Sequence, residues 1–588
     1  MMPNFIDKIG DWNPQLLREL KGRLKFFNVA IAVATSLLLQ LVVFLYQLRE
    51  FPDDKYSLTG TYCRLRQVYE RQQNEVYQLS DQSRIANLND FFSNNFCPAN
   101  QIDLQLWWQD HWRYTFLTFS VIFIFTLLVA GTYLLINDLA KEETRGTLNF
   151  IRLSPQSETS ILTGKLLGVP SLIYLVISLA VPFHLWAAFS AQIAFSSILS
   201  YYAILAASCI FFYNAALLFA LVSRGLSGFQ PWLGSGAVLF FLFTTMVMSS
   251  SSGNNLNNST TWLRLFAPWD VTTYLFPQLF NLYNGSLMGN VQFFYLPLGA
   301  NIVSVVGFHL LNWGLCSYGI LQAIKRCFRN PQASIISKGQ SYLIVAFCQV
   351  MMWGFTFQFL RNNSRLDGQV GENLIFIALY NLVLLFGLIA VLSPHRQDIQ
   401  DWARYRHQEV GGRKSVWQDL IWAEKSPALV AIAINLTIVT VPFLVWLSLT
   451  SIFDPGRSPN LEGDNFDRLK VLLTVALSIS LMLIYATITQ LILLLKTPKR
   501  SFWAVGTISA VTFLPPMILE FIGISSWKYP TIWLFSTFPW AAIEHTSATT
   551  IFMALLAQLS VLTLLNFQLT RQVRLAGESA TKALLAGR

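Results

Sequence analysis

The chain has 588 residues, of which 54% are hydrophobic and 12% are charged, and its formal net charge is +10. Soluble globular proteins carry about 25% charged residues, so the composition argues against a soluble protein and places most of the chain in lipid. The positive charge does not require nucleic acid, because cytoplasmic loops of membrane proteins carry an excess of Lys and Arg. We therefore expect an all-α polytopic membrane protein that binds no nucleic acid.

Residues 1–25 combine basic side chains with a stripe of leucines. Leu16, Leu17, Leu20 and Leu24 recur at the spacing of one helix face, among five Lys and Arg residues. This pattern predicts an amphipathic helix that lies in the cytoplasmic surface of the membrane, although an ordinary solvated helix remains the alternative. The polar character of the segment argues against a cleavable signal peptide.

Apolar runs long enough to cross a bilayer follow, since a spanning helix needs about 20 mostly apolar residues. We predict twelve spans, at 26–48, 114–136, 166–188, 197–222, 232–250, 298–321, 341–360, 373–392, 428–452, 471–495, 503–522 and 549–569. With the N-terminus inside, the inside segments carry 27 Lys and Arg residues and the outside segments carry 14. Because cytoplasmic loops are the more positive ones, both termini are predicted to be cytoplasmic.

The twelve spans divide into two halves that follow the same plan. Each half has an outside loop after its first span, and its largest cytoplasmic loop, 137–165 or 393–427, lies between its second and third spans. Matching positions of this kind, with six spans per half, predict two parallel six-helix repeats. The predicted segments are, in order, the first half 26–324, a cytoplasmic linker 325–340, the second half 341–569 and a cytoplasmic tail 570–588.

The first outside loop, 49–113, is too long to be a simple turn. It contains Cys63 and Cys97, which are the two cysteines that the predicted topology places outside. An oxidising exterior allows such a pair to form a disulfide. We therefore predict that Cys63 and Cys97 form a disulfide that stabilises a small outside cap. The alternative is two unrelated cysteines. The spacing of the cysteines indicates no metal site.

The chain carries no recognisable site for nucleotide hydrolysis. A phosphate-binding loop needs the pattern GxxxxGK[ST], and Gly164-Lys165 lacks the upstream glycine and is followed by Leu166. We therefore expect no enzyme activity from this chain by itself and no cofactor in it. Ionisable residues are also scarce in the predicted spans, which argues against ion coupling.

The segment 137–165 is a charged island between two apolar runs. Residues Ala140 to Leu153 are predicted to form a short helix that ends at Ser154-Pro155, since the residue before a proline disfavours the helical conformation. Gly146 within it permits a tight turn or a close approach. A solvated connector would explain the charges, but it would not explain the apolar residues set among them.

The same segment resembles the cytoplasmic loop of type-2 ABC exporter permeases. The resemblance rests on the run Glu142 to Leu148 (EETRGTL), on Leu153-Ser154-Pro155, and on Gly164-Lys165 leading into the third span. The basic N-terminal helix and the six-span plan extend the resemblance over the first half. The second half departs from it, because its loop lacks Arg-Gly-Thr, and Val416 to Lys425 (VWQDLIWAEK) is the expected contact there.

The resemblance implies a permease with two fused halves, whose loops dock on a dimeric ATP-binding cassette ATPase in the plasma (inner) membrane of a bacterial-type cell. ATP and Mg would be bound by that partner, and the substrate, which could be amphipathic, would be exported. The residues to which the resemblance assigns coupling to the ATPase are Glu142, Glu143, Arg145, Gly146, Thr147, Leu148, Ile151, Ser154 and Pro155. In the second loop, where the sequence departs from the family pattern, the residues expected to couple are Trp417, Leu420 and Glu424.

Two other classes of function remain open from the sequence. An ion-coupled secondary transporter would also have twelve spans in two parallel repeats, but it would need no ATPase. A lipid-modifying membrane enzyme would need a polar catalytic cluster at a membrane face, and the nearest candidates are Asp53-Asp54 and Glu544-His545. Acidic pairs in loops are more often only solvated, so the enzyme is the weaker of the two.

Overall fold

Helices make up the regular structure of the protein. The structure is a computed structural model that describes residues 8–49, 51–53, 55–78, 82–223, 228–250, 256–277, 287–330, 334–357, 367–408, 416–453, 461–497 and 499–578. These residues form helices and short turns, and no strand occurs among them. The all-α prediction is confirmed for this part of the chain.

The chain divides into two compact units, each described by itself. The first comprises Met1–Asn255, Leu263–Val291 and Leu298–Arg329, and the second comprises Leu256–Trp262, Gln292–Pro297 and Asn330–Arg588. The main division falls after Arg329, at the end of a helix that continues the sixth predicted span into the segment predicted as a linker.

The helices of the first unit that matter for the site and its surroundings are numbered in chain order. They are α1 (Pro14–Arg23), α2 (Phe26–Leu48), α3 (Arg66–Gln78), α4 (Gln82–Asn94), α5 (Leu104–Phe125), α6 (Gly131–Thr144), α7 (Thr147–Arg152), α8 (Glu158–Gly168), α9 (Ser171–Ser190), α10 (Phe195–Val222), α11 (Gln230–Ser250), α12 (Thr261–Arg264), α13 (Trp269–Leu275) and α14 (Ile302–Arg329).

The numbering continues through the second unit. Its helices are α15 (Lys338–Thr356), α16 (Asp367–Leu392), α17 (Arg396–Gln408), α18 (Val416–Trp422), α19 (Leu429–Phe453), α20 (Leu461–Leu493), α21 (Arg500–Phe521), α22 (Pro530–Trp533) and α23 (Ala548–Gly577). The last helix runs eight residues into the segment predicted as a tail, so the tail begins later than the apolar pattern indicated.

Eleven helices of the described residues are long and apolar enough to cross a membrane. They are Phe26–Leu48, Leu104–Thr144, Ser171–Ser190, Phe195–Val222, Gln230–Ser250, Ile302–Arg329, Glu372–Leu392, Leu429–Ser448, Arg468–Leu493, Arg500–Phe521 and Ala548–Gly577. The protein is therefore a multi-pass membrane protein. The exception among the twelve predicted spans is 341–360, whose described part overlaps α15, and that helix carries the polar residues Lys338, Gln340 and Gln349.

The second span is one long helix that positions the candidate site. Helices α5 and α6 join through a π-helical turn at Thr126–Ala130, and the hydroxyl of Tyr213 donates to the carbonyl oxygen of Leu127 at 2.8 Å. The whole helix, Leu104–Thr144, has 41 residues and is therefore about 60 Å long, twice the thickness of the hydrocarbon core. Its end at α6 extends beyond the apolar run and carries Asp138 and Glu142.

A small cap lies between α2 and α5. Cys63 and Cys97 form a disulfide there, with their Cα atoms 6.0 Å apart. Both sulfurs lie in a buried cluster with Leu58 and Phe92, against which the partly buried Tyr69 packs. The disulfide thus joins the two ends of the segment that contains α3 and α4, and it holds together a cap whose own apolar core is small.

Candidate functional site

The charged loop 137–165 does not contain the single continuous helix that was predicted for it. Helix α6 ends at Thr144, and α7 begins at Thr147 after Gly146, whose φ is +72°. Only glycine adopts this left-handed conformation without a steric penalty from a Cβ atom. The predicted helix Ala140–Leu153 is therefore wrong at Arg145-Gly146, where the chain turns, and the turn gives α7 its own direction.

Helix α7 has one buried face and one exposed face. Leu148 and Ile151 are buried, so they attach α7 to the rest of the first unit. Phe150 is 80% exposed, and Leu153, the capping residue directly after α7, is 85% exposed. Two large apolar side chains three residues apart on one face of a helix, surrounded by charge, form a small apolar surface on an otherwise polar loop.

A buried ion cluster lies directly behind α7. The Nζ atom of Lys165 lies 2.7 Å from Asp138 Oδ2, 2.7 Å from Glu142 Oε2 and 3.5 Å from Glu19 Oε1. The Lys165 side chain is only 1% exposed. These four residues come from three helices, α1, α6 and α8, so a single ammonium group holds three elements together.

Two arginines of α1 complete the cluster at its edge. Arg23 pairs with Glu19 at 3.2 Å and also with Asp138, while Arg18 pairs with Glu142 at 3.5 Å. Three carboxylates thus face three cations, and the buried charges are balanced. A buried ion pair stabilises a fold only when its partners are well matched in this way.

The electrostatics of the cluster keep Lys165 charged. Burial alone would lower the pKa of Lys165, but Asp138, Glu142 and Glu19 outweigh it and raise that pKa above its ordinary value. The three carboxylates are close enough to hold a metal ion, since one oxygen of each lies within 4.8 Å of the others. The ammonium of Lys165 occupies the centre of that group, so the arrangement is an ion cluster of the fold rather than a metal site.

Helix α1 docks on α8 through two glycines. The side-chain amide of Asn13 donates to the carbonyl oxygen of Ser160 at 2.7 Å. A Cβ atom at Gly164 would lie 2.8 Å from the backbone nitrogen of Leu16, and a Cβ at Gly168 would lie 2.5 Å from Glu19 Cβ. The predicted amphipathic helix is present, and the face of it that carries Leu16 packs against protein.

The other predicted coupling residues of the first loop differ in exposure. Arg145, Gly146, Thr147 and Pro155 are exposed, and Glu143 and Ser154 are half-buried. Thr147 donates from its hydroxyl to the carbonyl oxygen of Glu142 at 3.2 Å and so fixes the start of α7. Glu142, Leu148 and Ile151 are buried, so they support the exposed surface but do not form it.

The loop of the second unit is braced by a different lysine. The Nζ atom of Lys338 donates to the carbonyl oxygens of Leu420 at 2.9 Å and Pro427 at 3.1 Å, and to Oγ of Ser426 at 2.6 Å. Burial lowers the pKa of Lys338 to about 8, although nearby acidic side chains raise it. The C-terminal end of helix α18 is therefore held in place by hydrogen bonds from Lys338, whereas the first loop is held in place by the ion pairs of Lys165.

The predicted contacts of the second loop lie on and after α18. Trp417 is exposed, Glu424 is exposed, and Leu420 is half-buried, with its carbonyl oxygen accepting from Lys338. Trp422, at the end of the same helix, is also exposed. Helix α18 therefore also carries exposed apolar side chains, with Trp417 67% and Trp422 59% exposed.

Sequence reasoning missed several residues of the site. Phe150, Asp138 and Glu19 were not identified, although Asp138 lies four residues before Glu142 and therefore on the same helix face. Lys165 was quoted in the resemblance but not as a site residue. The signal that links Glu19 to Lys165 is absent from local sequence, because 146 residues separate them.

An ionisable residue within a span would favour an ion-coupled transporter, and a polar cluster at a membrane face would favour a lipid-modifying enzyme. His184 hydrogen-bonds across helices, with Nδ1 2.6 Å from Tyr202 Oη and Nε2 3.0 Å from Ser120 Oγ. Glu544 and His545 are exposed. Asp54 lies outside the described residues, so the pair Asp53-Asp54 is not described as a pair.

Comparison with known proteins gives no relative: no protein-family model matches the chain, and neither a curated protein nor a solved structure matches it significantly.

Proposed function

We propose that this chain is the membrane-spanning permease of an ABC transporter, an exporter that is driven by a separate ATPase subunit. The single observation that carries the proposal is the exposed pair formed by Phe150 on α7 and Leu153 directly after it. Exposed apolar side chains on a charged extramembrane loop are typical of a protein–protein contact, in which apolar anchors are surrounded by a polar rim.

The support behind α7 suits the transmission of a mechanical force. Leu148 and Ile151 attach α7 to the unit, and α6 belongs to the same continuous helix as the second span. Lys165 connects α6 to α8, and α8 leads at Gly168 towards the third span. A displacement of α7 would therefore move two spans together with α1, since packed elements joined by buried ion pairs move as a body.

The proposed cycle needs no chemistry in this chain. The partner ATPase binds ATP and Mg and closes as a dimer, and the loop 137–165 carries that motion to the spans. An amphipathic substrate is then released outward or into the outer leaflet. Both termini lie in the cytoplasm in this proposal, in the plasma membrane of a bacterial-type cell, and an interfacial role for α1 agrees with its basic residues.

Helix α18 supplies the second contact in this proposal. Its exposed Trp417 and the nearby Glu424 would meet the other ATPase subunit, so one fused chain with two parallel six-helix repeats would serve one ATPase dimer. The two loops differ in sequence and in their supports, Lys165 and Lys338, and we therefore propose that they contact the ATPase unequally.

The proposal is tested by the ATPase activity that co-purifies with this chain. Phe150→Asp and Leu153→Asp place charges on the exposed surface without touching the buried face of α7. The matched control is Phe96→Asp, which changes an exposed phenylalanine (59% exposed) in the disulfide-linked cap. We expect Mg-dependent ATP hydrolysis with the wild type and the control, and a loss of about tenfold or more with either α7 variant, since an interface anchor contributes 2 kcal/mol or more.

Equal hydrolysis by all four proteins would contradict the proposed contact. Absence of any co-purifying ATPase from the wild type would contradict the proposed class of transporter.

A further inference from the structure

Two spans and an amphipathic helix of the second unit line a cavity of about 420 Å³. Its walls come from α17, from the start of α19 and from the C-terminal turns of α23, with Leu420 of α18 at one side. The start of α19 and the end of α23 lie on the same side of a membrane, because four of the apolar helices, α19, α20, α21 and α23, separate them. The cavity is large enough for part of a small ligand.

The lining combines apolar walls with positive charge. Leu429, Val430, Leu569 and Val573 supply the apolar part. Arg406 and Arg574 supply two guanidinium groups, and no Asp or Glu is among the residues that line the cavity in the described chain. Asp419, which does not itself line the cavity, pairs with Arg406 at 3.4 Å.

An unsatisfied donor also belongs to this cavity. Trp402 lines it, and its indole Nε1–H is buried without a hydrogen-bond partner. A buried donor without a partner costs about 1–3 kcal/mol, so such groups in native proteins usually meet a ligand or an ordered water. The donor and the two arginines together would suit an anionic oxygen-bearing group.

The position along α23 matches the boundary between lipid and water. Leu564 is 70% exposed and Phe567 is 72% exposed, which is the expected state of side chains that face acyl chains. One turn later the helix presents Thr570, and then Arg571 and Arg574, all exposed to the surface. Basic pockets between spans at this depth are suited to anionic lipid headgroups.

We propose that this cavity binds the phosphate group of an anionic phospholipid. Arg406 and Arg574 hold the phosphate oxygens, the indole N–H of Trp402 donates to one of them, and the apolar walls take the first methylene groups of an acyl chain. The site lies beside Leu420 and Pro427, whose carbonyl oxygens both accept from Lys338. A bound lipid therefore also contacts the segment that leads from α18 into α19.

The test is native mass spectrometry of the full-length chain in detergent, titrated with palmitoyl-oleoyl phosphatidylglycerol, with the corresponding phosphatidylcholine, and with inorganic phosphate. The variants are Arg406→Gln/Arg574→Gln and Trp402→Phe. Arg571→Gln is the matched control, because it removes an exposed arginine of the same helix that does not line the cavity. Circular dichroism and monodisperse elution verify that each variant is folded.

We expect the wild type and Arg571→Gln to bind phosphatidylglycerol more tightly than phosphatidylcholine. The double variant is expected to bind it roughly thirtyfold more weakly, and Trp402→Phe severalfold more weakly, with folding retained. Equal affinity in the folded double variant and the control, or equal binding of the two lipids, would overturn the site. Complete displacement of phosphatidylglycerol by inorganic phosphate would contradict a lipid as the ligand and would indicate that the cavity binds a soluble phosphate compound.

Discussion

Lys165 joins three helices through one buried ammonium group, which makes it the residue with the strongest expected effect on stability. Replacing Lys165 by Met keeps the length of the side chain and removes its charge. Asp138, Glu142 and Glu19 would then face one another without the buried cation, and breaking a buried pair in this way costs about 3–5 kcal/mol. We expect a large fall in the thermal unfolding temperature in detergent, measured by tryptophan fluorescence.

The control for Lys165→Met is Arg18→Ala, which removes the ion pair between Arg18 and Glu142. The Arg18 side chain is 54% exposed, and an exposed ion pair contributes only about 0–1 kcal/mol to the free energy of unfolding. Lower pH should partly restore the stability of Lys165→Met, because protonation of the carboxylates removes their repulsion. Similar unfolding temperatures for the two variants would show that the cluster does not hold the helices together.

Lys338 makes the stability of the second unit depend on pH. Its pKa is lowered by burial from 10.5 to about 8, so the unfolded chain binds more protons than the folded chain between these two values. Stability rises with pH wherever the unfolded state binds more protons. We therefore expect the unfolding temperature of the wild type to rise relative to that of Lys338→Met as pH increases from about 8 to about 10.5. A difference that stays constant or moves the other way would be evidence against a buried, perturbed lysine.

The contact between α1 and α8 depends on the absence of a side chain at Gly164. Gly164→Ala places a Cβ atom 2.8 Å from the backbone nitrogen of Leu16, so α1 must shift or detach. We expect trypsin to cleave severalfold faster after Lys21, as measured by limited proteolysis of the detergent-solubilised protein. Gly236→Ala is the matched control, because a Cβ at Gly236 meets nothing within 4 Å and alanine favours the helix. Equal cleavage rates in the two variants would mean that α1 is not held by this contact.

The spans could be predicted because long apolar runs decide where helices lie in lipid. Their ends could be predicted less well: α5 begins at Leu104 rather than near Tyr114, since the side chain of Asp103 accepts from the N–H of Leu106 and caps the helix. That capping residue was visible in the sequence. The predicted helix Ala140–Leu153 was wrong at Gly146, because the positive φ of this glycine ends one helix and starts another although the pattern on both sides is helical.

The candidate site was only half predictable, for a physical reason. The apolar side chains of this segment lie on two helix faces, one with Leu148 and Ile151 and the other with Phe150 and Leu153. The local sequence does not indicate which of the two faces the rest of the fold covers. The contact of Lys165 with Glu19 depends on tertiary packing between distant segments. Lys338 gave no signal, because its partners are mostly backbone carbonyl groups, which every residue has.

For the whole molecule, helix α15 decides on which side the chain ends. It has 19 residues and is therefore about 28 Å long, close to the thickness of the hydrocarbon core. Its Gln349 donates to the side-chain oxygen of Asn381 at 2.7 Å, which shields a polar group from lipid. If α15 crosses the membrane, the chain has twelve crossings and both termini lie on one side.

That topology is tested by labelling single cysteines in intact cells with a membrane-impermeant maleimide. We expect Ser93→Cys, in α4 of the cap, to be labelled directly and Glu578→Cys, after α23, to be labelled only after the membrane is permeabilised. The unsubstituted protein gives the background from the four free cysteines. Labelling of Glu578→Cys in intact cells would place the C-terminus outside and would reduce the crossings to an odd number.

The central claim is that α7 is the surface on which a separate ATPase acts. The most direct measurement is photocrosslinking in intact cells with p-benzoylphenylalanine at position 150, compared with the same residue at position 96 of the cap. We expect position 150 to crosslink to a protein whose sequence contains the phosphate-binding pattern GxxxxGK[ST], and position 96 to give no such product. No crosslink at position 150, or a partner without a nucleotide-binding loop, would contradict the account.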